Sequence, residues 1–213
     1  MNTTPDIRLL TRRTIIDMAL RRQRSGTGSG LDFLAERTTL VQWPDLTPIL
    51  TPIRWAVVGA AATRLYMPER MTKDFDVAIA VEEAQAVRRK LADAGYTKLG
   101  ELSIGGSRWQ TPAGLQIDLI EGHDVWWPLA LAEAQTNLDA QGLPILPFPY
   151  LILMKFNASR TIDLGDVTRM LGLATETDLE RVGAVFRRYA PADLEDLASL
   201  IMLGKLETGR ASD

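Results

Sequence analysis

The chain has 213 residues, 46% of them hydrophobic and 24% charged, with a net charge of −3, which suits one domain or two small ones with a sizeable core. It has no cysteine and one histidine, His123, so disulfides and thiolate sites are excluded and any metal falls to oxygen ligands, favouring Mg²⁺ or Mn²⁺ over zinc. No apolar run approaches the roughly 20 residues of a membrane span, and the start MNTTPDIRLLTRR lacks a signal-peptide core. A cytoplasmic location with no membrane partner is expected.

Residues 1–30 carry Arg8, Arg12, Arg13, Arg21, Arg22 and Arg24 against only Asp6 and Asp17, a basic arm on an acidic body. Such an arm suits RNA or an acidic partner. Equally, arginines late in a helix meet the negative end of its dipole. Pro5 and the spacing of Ile7, Leu10, Ile15 and Met18 predict a helix ending near Arg22. Residues 25–30, SGTGSG, read as a linker, since they lack the Lys-Ser/Thr that completes a P-loop.

Residues 31–37 suggest a short helix, and the prolines at 44, 48 and 52 leave room for another. A short apolar strand is expected at 55–58, a glycine turn at Gly59, a short helix at 60–66 and a polar loop at 68–73. A strand at 74–81 then leads into a helix at 82–94. Runs at 99–104, 107–111 and 115–120, separated by Gly105-Gly106 and Pro112-Ala113-Gly114, read as a meander. Pro128 opens a helix to about Asn137, preceded by Trp126 and Trp127, which suit core anchors or, less directly, base stacking. From Phe148 only helices are predicted, at 149–158, 161–171, 178–189 and 192–203, and the tail GRASD reads as disordered. The fold class is α+β: a small mixed or antiparallel sheet with flanking helices, then an all-helical C-terminal part. The domains expected are residues 1–30, 31–145 and 146–213.

The chemistry centres on Asp74-Phe75-Asp76. Alternate residues of a strand share a face, so the two carboxylates project together and Phe75 turns into the core. Paired carboxylates repel unless a cation sits between them. Mg²⁺ takes one or two carboxylates plus substrate phosphates. Gly59 upstream would let backbone N–H groups approach a phosphate. Asp118 is a third carboxylate, on an otherwise apolar strand where burial without a partner is costly. Together these are parts of a metal-assisted phosphoryl or nucleotidyl transfer site. His123 lies just past that strand, with no partner visible in the sequence to tune it as a base.

Small residues after an apolar strand, Arg70-x-Thr72-x-Asp74-x-Asp76 and the later Asp118 resemble the DNA polymerase beta-like nucleotidyltransferase superfamily. The run Lys155-x4-Arg160-x2-Asp163-x2-Asp166 is similar to a helical motif of its AbiEii-type toxin branch. The resemblance implies that Asp74, Asp76 and Asp118 hold the metal, with Asp118 also orienting or deprotonating the acceptor hydroxyl. It implies that Gly59 and Ala60 meet the triphosphate through backbone N–H groups, with Arg70, Thr72, Lys155 and Arg160 as further nucleotide contacts. Asp166 would aid catalysis or fix Lys155 by pairing; a solvated Lys155–Asp166 pair would be worth only about 0–1 kcal/mol. Where many members carry Gly-Ser, this chain has Gly59-Ala60, without a hydroxyl donor. The implied activity is transfer of an NMP from an NTP to RNA, such as a tRNA end, by a toxin with an antitoxin partner. The alternatives are transfer to an aminoglycoside-like small molecule and a non-catalytic nucleotide- or partner-binding module.

Overall fold

The computed structural model describes residues 7–22, 42–68 and 74–209. The expected linker at 25–30, the short helix at 31–37 and the last four residues lie outside them, as do Arg70 and Thr72. The chain divides into two compact units, one within residues 34–147 and one joining the N-terminal helix to the chain from Phe148 onward.

The first unit is built on a five-stranded mixed sheet. Its strands are β1 (Trp55–Val57), β2 (Phe75–Ala80), β3 (Thr97–Glu101), β4 (Gly106–Gln110) and β5 (Gln116–Gly122), in the spatial order β1-β2-β5-β4-β3. The meander supplies β3, β4 and β5 as antiparallel neighbours. The non-local step is β2 on β5, which is parallel. One face of the sheet carries the core: Phe75, Val77, Ile79, Ile117, Leu119 and Trp109 are all buried. Trp43 stacks on Phe75 with ring centroids 4.9 Å apart and planes 8° from parallel, extending this core.

The helices of this unit are α2 (Thr47–Leu50), α3 (Gly59–Ala62, continued by a 3-10 turn at Thr63–Leu65), α4 (Ala84–Asp93) and α5 (Trp127–Ala134). Val87 and Leu91 are the buried stripe of α4. Helix α5 begins with Trp127, which lies so close to Gly122 that a Cβ there would meet the indole at 2.3 Å. Gly122 shares its face of β5 with Asp118 and Ile120. Trp126 and Trp127 are 3% and 4% exposed and stack on each other at 4.2 Å. They are core anchors, and burial removes the base-stacking alternative.

The second unit is helical: α1 (Ile7–Arg22), α6 (Phe148–Ala158), α7 (Thr161–Leu173), α8 (Glu176–Tyr189) and α9 (Leu194–Glu207). Phe156 of α6 meets Phe186 of α8 edge-on at 5.1 Å. Thr175 and Asp178 form a reciprocal capping box at the start of α8. Arg12 of α1 is buried, lies 4.0 Å above the Phe156 ring, and donates to Asp193 and Asp196. Arg13 bridges to Asp196 and Glu195 at 2.9 Å each. These acidic residues lie at the N-terminus of α9, where they also meet the positive end of its dipole. Two arginines of the basic arm are therefore engaged within the chain's own fold.

Candidate functional site

The register of the sheet assembles the first cluster. Asp76 of β2 is the direct partner of Asp118 of β5, and Asp118 is in turn the direct partner of Arg108 of β4. Register partners on neighbouring strands point to the same face, so Asp76, Asp118 and Arg108 form one row across three adjacent strands. Asp74 sits two residues before Asp76, at the strand's entry, and is exposed, whereas Asp76 and Asp118 are half-buried. The intervening Phe75 is fully buried. The alternation that the sequence implies is thus the one in the fold.

The turn from β1 into α3 closes on this row. The backbone N–H of Val58 donates to the carbonyl of Asp76 at 2.9 Å. Gly59 follows with φ of +62°, and a Cβ built on it would lie 1.8 Å from Oδ2 of Asp76. No other residue fits there, both because the backbone is left-handed and because the carboxylate occupies the space. Ala60, Ala61 and Ala62 are buried behind the turn. The glycine therefore lets the backbone lie directly against one carboxylate, whatever Ala60 lacks as a hydroxyl donor.

Arg108 was not among the residues the sequence singled out. Its Nε and one terminal nitrogen donate to the two oxygens of Asp118, each at 2.7 Å, in a two-pronged charge-assisted pair. The hydrogen bond and charge of Asp118 hold the guanidinium more firmly protonated than usual, and Asp74 and Asp76 add to this. The signal for Arg108 was present in the hairpin: counting outward from Pro112-Ala113-Gly114 places position 108 opposite 118.

Among the described residues, no three Asp, Glu or His side chains are gathered into a ready-made metal cage. The donor set still fits a hard cation. Asp76 and Asp118 offer carboxylate oxygens at one level of the sheet, Asp74 stands beside them, and the Gly59 turn leaves backbone against Asp76. Mg²⁺ needs no more than one or two carboxylates when substrate phosphates complete its shell. Asp118 is engaged by a monovalent guanidinium, that of Arg108.

The second cluster belongs to the helical unit. Nζ of Lys155 on α6 donates to Asp163 at 3.2 Å and to Asp166 at 2.8 Å, both on α7. Arg160 adds bonds to Asp163 at 2.5 Å and 3.2 Å. The Lys155, Asp163 and Asp166 side chains are 3%, 1% and 3% exposed. Lys155 and Asp166 do pair, but not as a solvated pair: the ions are removed from water, and packing of α6 on α7 is the reason. Arg160 alone of the four projects outward, at 73% exposure. His123 is exposed and lies near Gly105.

No protein-family model and no curated protein sequence matches the chain. Solved structures do. The solution structure of the antibiotic-resistance factor ANT(2'')-Ia is similar over 68% of this chain and 88% of its own, at 17% identity and a TM-score of 0.43. The crystal structure of ANT(2'')-Ia with adenylyl-2''-tobramycin covers 65% and 90%, at 17% identity and a TM-score of 0.42. Terminal uridylyl transferase 4 from Trypanosoma brucei with bound GTP covers 78% of this chain and 57% of its own, at 11% identity and a TM-score of 0.30. Similarity at this level assigns no chemistry to the chain, which has to be read from the residues themselves.

Proposed function

We propose that the protein is a metal-dependent nucleotidyltransferase of the polymerase beta-like type, moving an NMP from an NTP to an acceptor hydroxyl. The observation that carries this reading is the pairing of Asp76 with Asp118 in register on parallel strands, beside a glycine that only a bare backbone could occupy. Asp74, Asp76 and Asp118 would hold Mg²⁺ or Mn²⁺. Such a metal, when bound, neutralises charge on the phosphates of the attacked nucleotide and on the leaving pyrophosphate. Asp118 orients the acceptor hydroxyl and takes its proton as that oxygen bonds to the α-phosphorus and pyrophosphate departs. Backbone N–H groups around Gly59 and Ala60 face the triphosphate, with Arg70 and Thr72, which lie outside the described residues, as further contacts.

Lys155, Arg160 and Asp166 enter through the motif that resembles the AbiEii-type branch. In this reading Arg160, the exposed member, offsets phosphate charge, the Lys155–Asp166 pair fixes the helix that carries the motif, and the acceptor is RNA, with an antitoxin holding the enzyme in check. The acidic balance of the chain beyond residue 30 supports a cationic small-molecule acceptor as a second reading, of the kind named for ANT(2'')-Ia. The discriminating experiment incubates the protein with Mg²⁺, labelled NTPs and total RNA, or an aminoglycoside panel. Label on RNA, lost in Asp76→Ala, supports the RNA reading. Label on the aminoglycosides alone selects the small-molecule reading. Absence of transfer in both, with nucleotide binding indifferent to Mg²⁺, identifies a non-catalytic binding module.

A further inference from the structure

We propose that Arg108 is the built-in counter-ion of the carboxylate row, holding Asp118 in the metal-free protein and giving way when a divalent cation binds. The proposal rests on the metal-site reading above and adds to it a competition between two cations for one carboxylate.

Three observations support it. First, the guanidinium engages both oxygens of Asp118 at 2.7 Å, so the pair is set by geometry and not by chance proximity. While both oxygens accept from Arg108, Asp118 is a poor partner for a second cation, since the two cations would repel across one carboxylate. Second, the arginine is not locked in. Its side chain is 42% exposed, against 14% for Asp118, and a surface-accessible pair exchanges partners at modest cost. Third, there is room for it to move into. The register partner of Arg108 on β3 is Gly100, and a Cβ built there would meet nothing within 4 Å. Any larger residue at position 100 would fill the berth beside the guanidinium on the side away from Asp118.

The consequence is a row in which one carboxylate, Asp118, already has a counter-ion without metal. A cation seeking Asp118 must bring enough charge to displace the guanidinium. A divalent ion already bridging nucleotide phosphates has further ligands to offset that cost, whereas the bare ion has fewer. Arg108 thereby favours arrival of metal with nucleotide over metal alone.

The test uses the full-length chain and Mn²⁺ alone, titrated by calorimetry against wild type, Arg108→Gln and Arg108→Lys. Arg108→Gln is expected to bind Mn²⁺ about ten-fold more tightly, the effect of removing one competing charge pair. Arg108→Lys falls between, because an ammonium keeps the charge but not the two-pronged fit. In parallel, the Arg108 Nε–H resonance of the wild type is expected to shift and lose its exchange protection when Mg²⁺ is added; this arm needs no variant to fold. Equal or weaker Mn²⁺ binding by Arg108→Gln overturns the proposal while leaving the metal site standing. An Nε–H signal unmoved by saturating Mg²⁺ overturns it in the same way. Failure of wild type and both variants to bind Mn²⁺, either alone or together with a non-hydrolysable NTP analogue, overturns the proposal together with the metal-site reading.

Discussion

The molecule holds two clusters of carboxylates and basic side chains, and they are built to opposite specifications. In the sheet unit, Asp76, Asp118 and Arg108 lie along one face, with the arginine 42% exposed and an open space beside it. In the helical unit, Lys155, Asp163 and Asp166 are nearly sealed, at 3% exposure or less. Ion pairs that keep contact with water rearrange cheaply. Ions sealed from it cannot lose a partner without leaving a bare charge in a poor solvent. The open cluster can trade one cation for another, whereas the closed one ties α6 to α7.

The largest effect separating them should come from the open cluster's chemistry. Asp76→Ala is expected to cut nucleotidyl transfer by about a thousand-fold or more, since metal-held charge stabilisation is worth several kcal/mol. Its thermal midpoint should barely change, because the side chain is only half-buried. Transfer assays beside thermal unfolding check both halves of that statement.

Lys155→Met should behave in the opposite way. It leaves two carboxylates facing each other in the interior, and about 3–5 kcal/mol of stability should be lost in urea unfolding. A Lys155→Met protein that unfolds like wild type yet transfers nothing would break the comparison and give Lys155 the phosphate role instead.

Gly59→Ala probes the turn between strand and site. The new methyl would collide with Asp76, and its left-handed backbone suits no other residue well. About 1–3 kcal/mol of stability should go, with transfer falling further than that loss explains because Asp76 is displaced. Parallel unfolding and transfer measurements show whether the two decline together.

Arg160→Ala should have the smallest effect. Its guanidinium is 73% exposed, so removing the exposed partner of Asp163 should cost about 0–1 kcal/mol. A loss as large as that of Lys155→Met would mean the outer arginine is part of the sealed tie.

Much of this was legible in the chain. Strand alternation alone set Asp74 and Asp76 on one side and Phe75 on the other, and it set Asp118 apart from Ile117 and Leu119. Turn chemistry located the meander, and the loss of strand signals after Phe148 marked the helical unit. The Arg108–Asp118 pairing was also available, since a hairpin's register follows from its turn, but the arginine carried no motif to draw attention to it.

What only the tertiary structure decided is non-local. Asp76 and Asp118 are separated by a helix and two strands, and nothing in either local pattern says that β2 and β5 run parallel with those two residues level. Burial is equally invisible from spacing: Lys155, Asp163 and Asp166 read the same whether wet or dry, and Arg12 finds Asp193 and Asp196 at the far end of the sequence. The physical reason is the range of the forces. Backbone propensity and side-chain alternation act over a few residues and are written in order along the chain, whereas desolvation and strand register depend on which distant segments close over a given side chain.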